Sequence, residues 1–150
     1  MKALHSISLG LGLMSLAFGS LKFTDPFRQW YSVQITTSGL PPLAYSLGIA
    51  AEIMTALLFL SPFLLPLSST LWIWAWRLAS ISLIVVMMVA TVVHLNPEVP
   101  AEVLPLKIKP PVIPTFFIIV AGFHLRMLRR KAKVSVAFQK PKKNLHENQP

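Results

Sequence analysis

The sequence predicts an all-α, polytopic membrane protein: a bundle of four transmembrane helices with a short interfacial helix after the first span. Hydrophobic residues make up 54% of the 150 residues and charged residues only 13%, about half the charged share of a soluble globular domain. The mean hydropathy is +0.63. Four apolar segments, at residues 3–21, 43–65, 72–95 and 112–128, each approach the roughly 20 residues that a spanning helix needs.

Between the first two spans, the sequence predicts a short helix that lies along the membrane interface. Thr24, Asp25 and Pro26 indicate a helix start, with a capping side chain followed by Pro at the first helical position. Aromatic residues then recur at helical spacing on one face: Phe23, Phe27, Trp30 and Tyr31. Such an amphipathic helix lies in the interfacial plane. Residues 38–42 contain Gly and Pro and are predicted to end it as a turn.

The other segments are predicted to be less regular. Six prolines between residues 97 and 114 interrupt any long helix between the third and fourth spans. Trp72, Trp74 and Trp76 are predicted to form an interfacial aromatic belt where the third span begins. We therefore expect one domain, a bundle over residues 1–133, and a basic, disordered cytoplasmic tail over residues 134–150.

The distribution of Lys and Arg predicts a protein of the cell membrane with both termini cytoplasmic. Ten of the fourteen Lys and Arg residues would lie on the side of the termini, and four on the opposite side. Cytoplasmic loops carry such an excess. The alternative is that the first span is a cleaved signal peptide with a small-x-small site at residues 17–19, which would leave three spans. Its apolar run is longer than the usual signal core, which favours four spans.

Composition and motifs exclude several classes of function. The net charge of +9 would suit nucleic-acid binding, but the apolar content argues against a nucleic-acid partner. The absence of cysteine excludes disulfides, thiol catalysis and cysteine-ligated metals. No phosphate loop, dinucleotide fingerprint, zinc motif or nucleophile elbow occurs. We therefore predict no catalytic and no metal-binding residues, and a membrane subunit or accessory protein rather than an enzyme by itself.

Three ionisable residues are predicted to form one polar cluster in the outer half of the bundle. Glu52 lies near the middle of the second span, and Lys22 and His94 lie toward the outer ends of the first and third. A charge at mid-helix costs about 2.5–3.5 kcal/mol on insertion scales, so a Lys22–Glu52 ion pair is expected to relieve both partners. The cluster is a candidate site for a polar head group or a proton relay. A purely structural tie between the spans is the alternative.

The remaining small and polar residues of the spans are assigned to packing. The first span carries small residues suited to close helix contacts: Gly10, Gly12, Ser15 and Gly19. His5 and His124 lie in the cytoplasmic half of the bundle. Two histidines without supporting spacing do not predict a haem site, so no cofactor is predicted there.

Short motifs in residues 18–94 resemble the DoxX-like family of four-span membrane proteins. The family pattern has a Gly-x-x-Lys closing span one, a Gly-x-Pro turn opening span two, a Glu inside span two and a His ending span three. The matching residues are Gly19, Lys22, Gly39, Pro41, Glu52 and His94. These residues lie in spans one to three, which make up about two thirds of the chain. The proline-rich loop after span three is longer than expected for the family.

The resemblance implies a four-helix membrane bundle and a link to quinone-coupled oxidoreductases. Some family members are described as small membrane subunits of thiosulfate- or quinol-oxidising enzymes, and others as parts of oxidative-stress assemblies or as assembly factors. We therefore expect a non-redox membrane subunit that binds a quinone or another lipid at the cluster; the alternative is an assembly factor or scaffold. Expected partners are the lipid bilayer and other membrane or membrane-associated proteins, and a homo-oligomer is compatible with the sequence. A transporter has less support because no internal repeat is seen.

Overall fold

The structure is a computed structural model that describes residues 2–66 and 68–139, without the side chains of residues 69 and 132–139. Within these residues the chain forms five α-helices and no strand: α1 Lys2–Leu21, α2 Phe27–Thr37, α3 Leu43–Leu64, α4 Ser69–Leu95 and α5 Val112–Gln139. All of these except α2 are long and apolar enough to span a membrane. The predicted fold class is confirmed: the chain is a multi-pass integral membrane protein built as a four-helix bundle.

The four long helices alternate in direction around a ring in which α1 contacts α3, α3 contacts α4, α4 contacts α5 and α5 contacts α1. The ring of Phe18 contacts that of Phe117, and Ser8 contacts His124, so α1 and α5 run antiparallel. The amino terminus of α1 and the carboxyl-terminal half of α5 therefore lie together, at what we term the terminal end of the bundle. Lys22, α2 and residues 96–111 lie at the opposite end, which we term the loop end.

The outward faces of the spans are apolar, which suits helices surrounded by lipid. Leu13, Met54, Val85 and Ile119, one from each span, are each more than half exposed. The interior holds one main cluster of buried apolar residues: Leu4, Leu11, Phe59, Trp76, Ala79, Leu83, Met87, Phe117, Ala121 and Leu128. Apolar residues therefore form both the core and the outer surface of the spans, and the core residues differ in being in contact with other helices.

The predicted aromatic belt was wrong for Trp76, which lies in the core of the bundle. Its side chain is fully buried, and its Nε1–H donates to the Phe59 carbonyl at 2.9 Å. Trp74 is exposed and Trp72 is half-buried. A tryptophan that finds an internal acceptor for its N–H can be buried, and the Phe59 carbonyl provides that acceptor.

Small residues allow α1 to approach α3 closely. Four positions of α1 were predicted to make such contacts, and three of them do. A Cβ added at Gly12 would lie 2.9 Å from Leu60 Cγ, and one added at Gly19 would lie 3.1 Å from Ile53 Cγ1. Ser15 is also buried. Gly10 differs, because no atom lies within 4 Å of a Cβ placed there. It faces away from the bundle.

Pro62 lies inside α3, and the helix repairs the hydrogen bond that this proline removes. A proline has no N–H to donate to the carbonyl four residues earlier, which here is that of Leu58. The Ser61 hydroxyl donates to the Leu58 carbonyl at 3.0 Å instead. In lipid, backbone polar groups need internal partners. Because the Ser61 hydroxyl replaces the missing N–H donor, α3 continues to Leu64.

The predicted short helix after the first span is present as α2, but it starts differently. Pro26 occupies the cap position, and no side chain caps the helix. The Thr24 hydroxyl instead donates to the Leu21 carbonyl at 3.0 Å. The last carbonyls of a helix lack helical partners, so Thr24 stabilises the end of α1 and not the start of α2. The expected capping side chain before Pro26 was therefore wrong, because Pro26 itself occupies the cap position.

The proline-rich segment at residues 96–111 is irregular, as its prolines predict, with short 3₁₀ turns at Ala101–Val103 and Pro105–Lys107. The Lys109 ammonium group donates to the carbonyls of Asn96 and Val99, which places a positive charge at the carboxyl end of α4, where it is favourable. Helix α5 continues to Gln139, beyond the start of the predicted tail at residue 134. Residues 140–150 of that tail lie outside the described residues.

Candidate functional site

Lys22 and Glu52 form a buried ion pair at the loop end of the bundle. Lys22 Nζ donates to Glu52 Oε1 at 2.6 Å, and the two side chains are 16% and 10% exposed. Lys22 follows the last residue of α1, and Glu52 lies two turns into α3. The predicted pairing of these residues is therefore present, and it joins the first two spans.

Tyr31 of α2 completes this cluster, which we term the Lys–Glu–Tyr cluster. The Lys22 ammonium lies 3.9 Å from the centre of the Tyr31 ring, a cation–π contact. The ring of Tyr45 lies 5.1 Å from that of Tyr31. Burial raises the pKa of Tyr31 to about 12, and the Glu52 carboxylate adds to this rise.

Lys22 experiences two opposing effects in this cluster. Burial lowers the pKa of Lys22 from its usual value, while the Coulomb attraction of Glu52 and the hydrogen bond to it act in the opposite direction. An ammonium group is held in a partly buried position only when a partner compensates for lost hydration. Glu52 is that partner.

Two glycines make room for the cluster. The Tyr31 hydroxyl lies where a Cβ at Gly48 would be, and a Cβ at Gly19 would lie 3.4 Å from Glu52 Cβ. Gly48 and Glu52 are four residues apart in α3 and so share one face of that helix. This spacing is the signal that could have predicted Tyr31: a glycine one turn before a buried acid leaves space for a side chain beside the acid.

One oxygen of Glu52 is left without a partner. Oε1 accepts from Lys22, but Oε2 is buried and has no hydrogen-bond partner among the residues that the structure describes. Ser15 Oγ, on the inner face of α1, is a second buried oxygen in this condition. Buried polar atoms nearly always have partners, so an unpaired carboxylate oxygen marks a place where a hydrogen-bond donor could bind.

The structure places His94 apart from this pair. Thr55 of α3 and Ser82 of α4 share a hydrogen bond of 2.7 Å, which sets the two helices in register. At about 1.5 Å per residue, His94 then lies about 13 Å beyond Glu52 along the bundle axis. Its ring is buried against the backbone of residues 108–110, and Nδ1 has no partner within the described part of the chain.

An open groove of about 450 Å³ lies beside the cluster. It is lined by one face of α2 and by the start of α3: Arg28, Gln29, Ser32, Val33 and Tyr45. The lining combines a guanidinium, an amide and hydroxyls with apolar surface. Tyr45 lines the groove and contacts Tyr31, so the groove adjoins the Lys–Glu–Tyr cluster through these two rings, while Lys22 and Glu52 do not line it.

A second polar group lies in the half of the bundle nearer the termini, centred on His124. Both ring nitrogens of His124 contact serine hydroxyls, those of Ser8 in α1 and Ser80 in α4. The sequence prediction named His124 but missed both serines, since single serines in apolar helices carry no distinctive spacing. Among the described residues, no group of three or more His, Cys, Asp and Glu side chains could hold a metal ion.

Comparison with protein-family models, with curated proteins and with solved structures finds no match to this chain.

Proposed function

We propose that the protein is a non-redox membrane subunit that binds the head group of a quinone-like lipid at Lys22 and Glu52 and serves a quinone-linked oxidoreductase. The observation that carries the proposal is Glu52 Oε2, buried and unpartnered among the described residues. Leaving a buried acceptor without a donor is costly, and a ligand that donates to it would remove that cost. The resemblance of residues 18–94 to the DoxX-like family supports the same assignment.

The chemistry of the pair favours the reduced ligand, a quinol. An ionised carboxylate only accepts hydrogen bonds, so Glu52 Oε2 needs a donor such as a quinol hydroxyl. Lys22 gives one of its N–H groups to Glu52 and keeps others that can donate to a quinone carbonyl. A quinone and a quinol would each find a partner, but only the quinol would satisfy Glu52.

The groove supports this proposal because it adjoins the cluster through Tyr45 and Tyr31. An amphiphile with its chain in the bilayer would lie between α2 and the start of α3, and its head group would reach Lys22 and Glu52 by displacing these two rings. Most of a bound ligand's surface is usually covered by apolar and aromatic side chains with a few polar groups among them. In this proposal His94 orders residues 108–110 and does not contact the ligand ring.

A photoreactive, short-chain benzoquinol probe tests the proposal in membranes that contain the full chain. The forms compared are wild type, Glu52→Gln and the double variant Lys22→Met/Glu52→Gln. The double variant has no unpaired charge in the cluster, so it should accumulate in the membrane as wild type does. Its labelling should fall to the level seen when excess unlabelled quinol competes with the probe.

Glu98→Gln is the matched control, because it removes an exposed carboxylate at the same end of the bundle. This control should be labelled as strongly as wild type. Equal labelling of wild type and the double variant would contradict binding of the head group by the pair.

An assembly factor or scaffold is the second candidate function, and the close packing of the cluster favours it. Lys22, Glu52 and Tyr31 come from three different segments and contact one another. If the cluster only ties these segments together, Glu52→Gln should lower accumulation in the membrane and the double variant should restore it. All forms that accumulate would then be labelled equally.

We propose that the protein lies in the cell membrane with both termini cytoplasmic. The excess of Lys and Arg at the terminal end supports this orientation.

Because the chain has no cysteine, thiol-based electron transfer would have to come from a partner, and another membrane or membrane-associated protein is the expected one. The outward apolar faces are also compatible with a homo-oligomer.

A further inference from the structure

His124 lies at the centre of a buried chain of hydrogen bonds that joins three helices. Its Nε2 is 2.7 Å from Ser8 Oγ of α1, and its Nδ1 is 2.8 Å from Ser80 Oγ of α4. Each serine hydroxyl is also within bonding distance of a carbonyl of its own helix, Leu4 at 2.9 Å and Trp76 at 2.8 Å. Ser8, Ser80 and His124 are all fully buried.

This chain has four links, and both of its ends are carbonyl oxygens that can only accept. A hydroxyl supplies one hydrogen, and a neutral imidazole supplies one N–H. Two serines and one neutral histidine therefore supply three hydrogens for four links. One link must lack a hydrogen whenever His124 is neutral.

The surroundings of His124 favour the neutral form. The rings of Phe59 and Trp76 each lie 5.7 Å from its ring. The polar contacts of His124 with the described residues are the two serine hydroxyls, and neither is a carboxylate. A buried charge without a counter-charge is unfavourable.

We infer that Ser8, His124 and Ser80 form a two-state proton site in which the imidazole proton lies on Nε2 or on Nδ1. With the proton on Nε2, His124 donates to Ser8, Ser8 donates to the Leu4 carbonyl, and Ser80 turns its hydroxyl toward Nδ1. With the proton on Nδ1, the pattern is mirrored and Ser8 donates to Nε2. Both states make three hydrogen bonds, and the helical carbonyl at the vacant link keeps its ordinary N–H partner.

Exchange between the two states moves one proton through the site. Because the site is fully buried, exchange requires a transient opening of the bundle that admits water, whose proton adds to the free nitrogen while the adjacent serine turns back to its own carbonyl. The imidazolium then fills all four links. The N–H bond on the other nitrogen breaks next, its proton returns to water, and the serine on that side turns toward the ring. The two end states share one arrangement of heavy atoms, so the ligand of the site is a proton and the site connects α1 with α4.

This inference is independent of the proposed function, because it uses none of the residues of the Lys–Glu–Tyr cluster. It is tested by nitrogen-15 NMR of the histidines in the full chain in lipid bicelles, with His124→Asn to assign the signals. Two-bond couplings between ring protons and nitrogens distinguish the two neutral tautomers from each other and from the cation. Wild type should show a neutral His124 with both tautomers populated.

Removing either serine should shift the tautomer ratio in opposite directions. Ser8→Ala leaves Ser80 as the only partner, so the state with the proton on Nδ1 keeps one more hydrogen bond and should gain about tenfold. Ser80→Ala should shift the ratio about tenfold toward Nε2 for the same reason. The variants Ser8→Thr and Ser80→Thr retain a hydroxyl and should restore the wild-type ratio.

Two hydroxyl residues elsewhere on the same helices provide matched controls. Ser6 of α1 donates to the Lys2 carbonyl, and Thr91 of α4 donates to the Met87 carbonyl; Ser6→Ala and Thr91→Ala should leave the ratio unchanged. A single tautomer in wild type, a cation at neutral pH, or shifts in the same direction for Ser8→Ala and Ser80→Ala would each overturn the inference. The wild-type spectrum alone is decisive if an alanine variant fails to fold.

Discussion

Lys22 lies between two partners that hold its charge in different ways. Glu52 Oε1 is 2.6 Å from its ammonium nitrogen, and the ring of Tyr31 is centred 3.9 Å from it. Losing one member of a buried ion pair costs about 3–5 kcal/mol, because the other charge stays buried without compensation. This asymmetry is why single and double variants of the pair separate a structural role from a binding role.

Tyr31 should report on the charge of Glu52 through its own titration. The protein has two tyrosines, so Tyr45→Phe leaves Tyr31 as the sole one. Burial and the Glu52 carboxylate raise the pKa of Tyr31 to about 12, and tyrosinate absorbance in the Tyr45→Phe protein should titrate well above the ordinary value of 10.0. Adding Glu52→Gln should lower this midpoint, since the carboxylate that favours the neutral phenol is then gone, while burial still holds the pKa above its ordinary value.

The sign of the accompanying stability change follows from the raised pKa. The folded state holds the phenol proton more tightly than the unfolded state, so this contribution is complete below pH 10 and is lost as pH rises through about 12. Circular dichroism should show that the helices persist over the titration. A midpoint at the ordinary tyrosine value, unaffected by Glu52→Gln, would contradict the contact between Tyr31 and the ion pair.

At the level of single residues, the pairing of Lys22 with Glu52 was predictable and the position of His94 was not. A charge in the membrane needs a partner, and these two residues had the depths and reach to meet. Counting from the middle of each span puts His94 about 9 Å beyond Glu52, within reach of a shared cluster through Lys22, but the register set by Thr55 and Ser82 carries His94 farther along the axis. Counting residues cannot supply that register.

Among the elements, α1 shows how small residues determine the distance between helices. Gly12 faces Leu60 and Phe59 at contact distance, whereas Gly10 faces open space. Small residues at such positions let helix backbones approach in membranes. The two glycines are two residues apart on one helix but have different surroundings.

Substituting each glycine by alanine should therefore change stability in opposite directions. Gly12→Ala would place its Cβ 2.9 Å from Leu60 and should cost about 1–3 kcal/mol, as overpacking does. Gly10→Ala meets nothing and should gain up to about 1 kcal/mol through helix propensity. Unfolding in mixed micelles, followed by tryptophan fluorescence, measures both. Equal effects of the two variants would contradict the orientation of α1 against α3.

The bounds of the helices were largely predictable, because prolines and the ends of the apolar segments mark them. The end of α5 was not: it continues to Gln139, although its sequence becomes basic after residue 125. Lys131 lies 3.9 Å from the centre of the Trp72 ring, so the helix finds contacts beyond its apolar segment. Such a contact depends on α4 being adjacent, which the local pattern of α5 does not indicate.

At the scale of the whole molecule, the charges and the polar groups are distributed unequally between the two ends. The loop end carries the Lys–Glu–Tyr cluster, the groove and the ordered proline-rich segment. The terminal end carries the basic part of α5, including Arg126, Arg129, Arg130 and Lys131. This asymmetry is the basis for the proposed orientation in the membrane.

The orientation can be measured directly because the natural chain has no cysteine. Glu98→Cys in the loop end should react with a membrane-impermeant maleimide in intact cells, whereas Arg130→Cys should react only after permeabilisation. Met54→Cys, on the lipid-facing side of α3, should react in neither case. The reverse pattern for Glu98 and Arg130 would contradict cytoplasmic termini, and labelling of both in intact cells would contradict an even number of spans.

The sequence by itself determined the number of spans, their approximate bounds and the need to pair the buried charge. A bilayer requires about 20 apolar residues per helix and penalises each unpaired charge, and both conditions can be read along the chain. The tertiary structure alone decided which faces meet: Trp76 in the core, Tyr31 over Lys22, His94 against residues 108–110, and Ser8 and Ser80 on His124. In a helix that is apolar on all sides, the face toward lipid and the face toward the core look alike. Rotation and register therefore depend on close packing between helices, which no single segment encodes.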